Sequence, residues 1–158
     1  MPTSRRNGRA LLSAFMALAL PQFVAAEDAD TKEVQSYILT ASALAKYTDA
    51  TQRLAALPAS ANACDEEDAE TQTLAQIAAK LDAAPGAKAA IQAAGMTSRE
   101  YVVFSMSLLH NGLAAWAVSQ PGGKLPPGVS NANLDFMKKH DAELKGLEAL
   151  KPRDDCDE

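Results

Sequence analysis

The chain has 158 residues, 47% of them hydrophobic and 22% charged, with a formal net charge of −5. That is enough for one domain with a real core and tight for two. The acidic balance argues against nucleic acid and anionic membrane as partners, because both demand clustered Lys and Arg.

Arg5, Arg6 and Arg9 form a cationic lead, Leu11 to Leu20 is almost wholly apolar, Pro21 breaks the run, and Val24-Ala25-Ala26 places small side chains after it. This is the order of a secretory signal peptide, with cleavage expected after Ala26. The apolar run is short of the roughly 20 residues a bilayer requires, so no membrane span is expected. Ser4-Arg5-Arg6 also reads as a twin-arginine signal, but Gly8 stands where such signals carry an apolar residue, and the general secretion route is the default. Glu27, not Cys, follows the cleavage point, so a lipid anchor is not expected there. Residues 27–158 then form a single helical domain carrying −8, free in the periplasm or outside the cell.

Residues 27–33 are polar and read as a flexible lead. Val34 to Leu39 is open between helix and extended chain, with Thr40 able to cap a helix from Ala41. Leu44, Tyr47, Thr48, Thr51, Leu54 and Ala55 share one helical face, and Pro58 closes this first helix. Residues 59–68 are a loop by composition. A second helix runs from about Ala69 through Leu74, Ile77, Ala78 and Leu81 to the Pro85-Gly86 turn, and a short piece, Ala87 to Ala94, ends at Gly95. Thr97-Ser98-Arg99-Glu100 is a capping box, onto which Met96 and Tyr101 can staple, and it opens a third helix reaching about Ser119. Val102, Met106, Leu109, Leu113 and Trp116 form its main stripe, with Phe104, Leu108, Ala115 and Val118 covering much of the rest. A helix apolar on nearly every side is expected at the buried centre. Gly112 costs about 1 kcal/mol against Ala there, which a close helix–helix approach would explain. After the proline-rich connector 121–128, Ser130 or Asn131 caps a fourth helix through Leu134, Met137, Leu144, Leu147 and Leu150, ended by Pro152, with an acidic tail over 152–158. The expectation is an all-α compact bundle of four main helices and one short one, with a possible crossover before the last.

The segment Ala94-Gly95-Met96-Thr97-Ser98-Arg99-Glu100-Tyr101-Val102 resembles the "aGlt-x-REY" element of a family of small exported bacterial proteins of unknown function. Tyr37-Ile38-Leu39-Thr40 and Asn133-Leu134-Asp135-Phe136 through Leu144 are similar to that family's flanking elements. The resemblance implies a helical, extracytoplasmic protein and assigns no activity, cofactor or site.

Two cysteines in an oxidising compartment usually join, so a Cys64–Cys156 disulfide is expected, with an intermolecular bridge or free thiols as alternatives. In an up-down bundle a last helix of about 20 residues would hold them roughly 30 Å apart. The bridge therefore asks the connector from Gln120 to Ser130 to run back along the bundle and set the fourth helix parallel to the third. It would also join two acidic patches, in which Asp65, Glu66, Asp155 and Asp157 are candidate ligands for Ca²⁺. Neither patch has EF-hand spacing, and a solvated acidic surface without a metal is the simpler reading.

His110 or His140 with Met106 or Met137 could serve as axial ligands to a haem in a four-helix carrier. No Cys-x-x-Cys-His is present, and a satisfied, partly buried His110 with an exposed His140 is the simpler reading, so no cofactor is expected. Ser105 and Ser107 sit too close to His110 on one helix to build a triad, and neither a Gly-x-Ser-x-Gly elbow nor a di-iron Glu-x-x-His occurs. The sequence points away from an enzyme and toward a non-catalytic binding or interaction module whose partner is another protein. A haem or metal carrier, and an envelope folding helper or immunity-type partner, are the alternatives.

Overall fold

The computed structural model describes residues 21–58, 72–148 and 150, the side chains of 21–27 and of Glu148 excepted. The described chain is all-helical: α1 (Pro21–Ser36), α2 (Ala41–Ala55), α3 (Leu74–Ala83), α4 (Ala87–Ala93), α5 (Ser98–Ser119), α6 (Asn131–Lys139) and α7 (Asp141–Glu148).

Local capping sets most boundaries. The Thr40 hydroxyl accepts from the Ala43 amide at 3.2 Å and starts α2. At α5 the Thr97 hydroxyl accepts from the Glu100 amide at 3.1 Å, while the Glu100 carboxylate accepts from the Thr97 amide at 2.7 Å. α4 ends through Gly95, whose φ of 78° suits a residue without Cβ. Thr73 and Gln76 form a second capping box that opens α3, and Ser130 caps α6.

The Glu100 cap and the Asp82 carboxylate, which accepts from Ser98 and pairs with Lys88, carry a pH dependence. The Thr97 backbone amide and hydroxyl hold the Glu100 carboxyl below its usual range. The Ser98 hydroxyl and then Lys88 do the same for Asp82. Both folded values lie below the unfolded ones, so their stabilisation is complete above about pH 5 and is lost as pH falls through the unfolded and then the lower folded values. The urea midpoint is expected to drop between neutral pH and about pH 3, and to drop less in Glu100→Gln, which keeps an acceptor but does not titrate.

Three elements depart from the sequence reading. The lead expected over 27–33 is helical and belongs to α1. It has no apolar stripe of its own and is held by distant partners: Arg99 bonds Asp30 at 3.3 Å and also pairs with Glu33, and Asp30 accepts from the Leu74 amide at 2.7 Å. Val34–Ser36 complete this helix, whereas Tyr37–Thr40 are not helical. The expected fourth helix is broken at His140, which has φ −105° and ψ 15°. Lys138 and Lys139 in the last turn of α6, with Asp141 and Glu143 in the first turn of α7, put positive charge at one helix's C-terminus and negative charge at the next one's N-terminus.

The crossover is absent as well. Val129 and Leu134 cluster with Ala114, a Cβ on Gly112 would meet Met137, and Leu147 joins the core with Tyr47 and Phe104. The α6–α7 run therefore returns antiparallel along α5. Both cysteines, and with them the expected disulfide, lie outside the described residues.

Phe104 is fully buried at the centre. Tyr47 packs on it with ring centroids 4.9 Å apart, Tyr37 meets it edge-on at 5.9 Å, and Tyr101 stacks on Tyr47 at 4.8 Å. Burial pushes the Tyr101 phenol well above its usual range. Leu39, Leu44, Ala50, Ile91 and Met96 complete this core, and Leu74, Val102 and Val103 form a second cluster between α3 and α5.

Candidate functional site: an uncovered face of α5

α5 is the most apolar helix described, long and apolar enough by length and composition to cross a membrane, yet only 33% of that window is buried. Its polar residues Ser107 and Asn111 face inward. The Ser107 hydroxyl donates to the Val34 carbonyl at 3.2 Å, and the Asn111 amide donates to the Ser107 carbonyl at 2.7 Å. The Ser107 bond to α1 and the burial of Asn111 fix which side of α5 faces the core, although the Asn111 Oδ1 is buried without a partner among the described residues.

The opposite side corrects the expectation of a helix buried all round. Val102 is covered by α3, but Leu109 is 57% exposed, Leu113 60% and Trp116 66%. α3 has only 10 residues, and none of the described elements continues over the C-terminal half of the stripe. Beside it lies an open groove of about 400 Å³. Met106, Leu109, Gly112 and Leu113 supply the α5 side, Met137 comes from α6, and Leu144 and Leu147 come from α7. The two hydroxyls in its lining are joined, with Tyr47 donating to Ser105 at 3.2 Å.

Gly112 explains part of this shape. The close backbone approach expected there is absent, and the atom nearest to a methyl added at this position, the Met137 Cε, would lie 3.8 Å away, an ordinary contact. Gly112→Ala is therefore expected to stabilise the chain by about 0.5–1 kcal/mol through helix propensity, read as a higher urea midpoint. A loss of stability would mean that the groove is tighter than described.

The sequence candidates scatter. Met106 and Met137 both line the groove, whereas neither His110 nor His140 does. The His110 Nε2 is buried without a hydrogen-bond partner among the described residues. His140, expected to be exposed, is half-buried: its ring stacks on Phe136 at 4.4 Å and Nδ1 lies 3.1 Å from Glu143. Among the described residues no group of three His, Cys, Asp or Glu side chains could hold a metal ion. Asp65, Glu66, Asp155 and Asp157 lie outside the described residues.

Every side chain of the α5 stripe is legible from its spacing, but its all-round apolar character points to the core and not to this open face. The signal for the opposite orientation was Ser107 and Asn111, which lie on the far side of the helix from Leu109 and Leu113 and need buried partners. Comparison with known protein families, with curated proteins and with solved structures gives no match.

Proposed function

We propose that this protein is a non-catalytic binding module, acting outside the cytoplasm after removal of its leader, and that the groove beside α5 is its binding surface. The observation that carries this reading is the uncovered stripe of Leu109, Leu113 and Trp116 along an open apolar groove. Contiguous apolar surface rimmed by polar residues marks interaction sites. Met106 and Met137 suit such a surface, because an unbranched thioether adapts to the shape of its partner. Ser105, the hydroxyl nearest a nucleophile in the lining, accepts a hydrogen bond from the Tyr47 hydroxyl, and no His, Asp or Glu among the described residues lines the groove to serve it as a base.

The test is a fluorescence titration with the uncharged probe N-phenyl-1-naphthylamine. Saturable uptake is expected, weakened at least about tenfold in Leu113→Glu, which sets a charge on the groove rim. No uptake, or uptake indifferent to Leu113→Glu, would overturn the assignment.

A further inference from the structure

The occupant of the groove can be narrowed by asking what this chain itself could put there. Residues 59–71 and 151–158 contain no Val, Leu, Ile, Met, Phe or Trp and are rich in Asp and Glu, so neither offers an apolar cover. The apolar run of residues 11–20 belongs to the expected leader. A second molecule can supply the cover that these segments do not, and α5 carries three marks of what that molecule is.

The first is spacing. Val102, Met106, Leu109, Leu113 and Trp116 are separated by four, three, four and three residues, the 3.5-residue period of a seam that packs against another helix. α3 takes the first turns of that seam through Leu74, and the turns from Leu109 onward stay open. The second is charge. From Tyr101 to Ser119 there is no Asp, Glu, Lys or Arg, although the chain as a whole carries −5. A two-fold interface sets a patch against itself, so an acidic protein can pair with its own copy only where like charges are absent. Selection of a different protein is more often written in complementary charge around the contact. The third is shape. Trp116, the most exposed large hydrophobic side chain among the described residues, stands one helical turn from Gly112, the barest point of the groove. An antiparallel helix pair with its two-fold axis midway between residues 112 and 116 brings each of these positions opposite the other.

We propose that two copies of this chain pair antiparallel through α5, each copy's Trp116 entering the other's groove beside Gly112. The pairing rests on the reading of the groove as a binding surface and names its occupant. Trp is the residue most often found as an interface anchor. The stripe from Leu109 to Trp116, about 10 Å long, forms the centre of the contact. A stable interface buries about 800 Å² per partner, and Met137, Leu144 and Leu147 on the α6–α7 wall extend the contact beyond α5.

The deciding experiment measures the mass of the full chain, as isolated and with its N-terminus read by intact mass, by light scattering across a dilution series. N-phenyl-1-naphthylamine uptake is followed in the same samples. The mass of two chains is expected at the concentrated end, falling to one on dilution, with probe uptake per chain rising as the pair separates. Trp116→Ala should raise the dissociation constant by about 30-fold, and Leu113→Glu should leave a single chain throughout. Both side chains are exposed, so the helical circular dichroism and urea midpoint of the separated chains should match wild type. A single-chain mass at every concentration with saturable probe uptake would overturn the pairing and leave the groove as a site for another partner. A pair that survives both substitutions would place the contact elsewhere and overturn it as well. A single chain that takes up no probe would overturn the pairing and the binding surface together.

Discussion

Phe104→Ala is expected to destabilise the protein by about 3–5 kcal/mol, while Trp116→Ala, measured where the chain is monomeric, stays within about 0.5 kcal/mol of wild type. Both residues are large aromatics on the same helix, and composition alone would rank the tryptophan higher. Position reverses the order. Phe104 is fully buried and touches Tyr37 and Tyr47, so its removal leaves a cavity that rings on neighbouring elements cannot close. Trp116 is 66% exposed and leaves no cavity. A domain of this size has a total stability of about 5–15 kcal/mol, so Phe104→Ala removes much of it. Urea unfolding of the two variants checks the contrast, and equal losses would mean that the face assigned to solvent is part of the core.

Asn133→Ala is expected to cost about 2–5 kcal/mol for a different reason. The Asn133 side chain is buried, and its Oδ1 accepts from the Leu39 amide at 3.0 Å while its Nδ2 donates to the Tyr37 carbonyl at 2.9 Å. These two contacts fasten the non-helical stretch between α1 and α2 to the first turn of α6, across more than 90 residues of sequence. Truncation leaves a buried backbone donor and a part-buried backbone acceptor without the Asn133 side chain, each loss being worth about 1–3 kcal/mol. Asn133→Asp should recover little, because a carboxylate oxygen would face the Tyr37 carbonyl in place of a donor. Urea midpoints measure both variants, and a loss below about 0.5 kcal/mol for Asn133→Ala would show that the clamp is not closed in solution.

How much of this was legible in the sequence depended on where each cause lies. α2, α4 and α5 were readable because their ends are set by residues a few positions apart: Thr40, Gly95, and Thr97 with Glu100. The Thr73–Gln76 capping box that opens α3 was equally local, but the expected start near Ala69 passed over it. The break at His140 was also present as a reversal of charge from Lys138 and Lys139 to Asp141 and Glu143, inside a run whose apolar spacing suggested one helix. α1 was not readable from its own residues, since Asp30 and Glu33 owe their helical setting to Arg99, some 70 positions away. The candidate site was half legible. The stripe could be listed residue by residue, but whether it is covered depends on how far α3 and the α6–α7 run reach along α5, and no local pattern in α5 encodes that.

The chain contains one tryptophan, and it stands at the centre of the proposed contact. The most direct test of the account is therefore acrylamide quenching of Trp116 fluorescence across a dilution series of the wild-type chain and of Leu113→Glu. The indole is expected to be open to quencher in dilute wild type, increasingly shielded as concentration rises, and open at every concentration in Leu113→Glu. An indole shielded to the same degree in both proteins at all dilutions would show that the chain closes this face by itself, and would contradict the assignment of α5 as a binding surface.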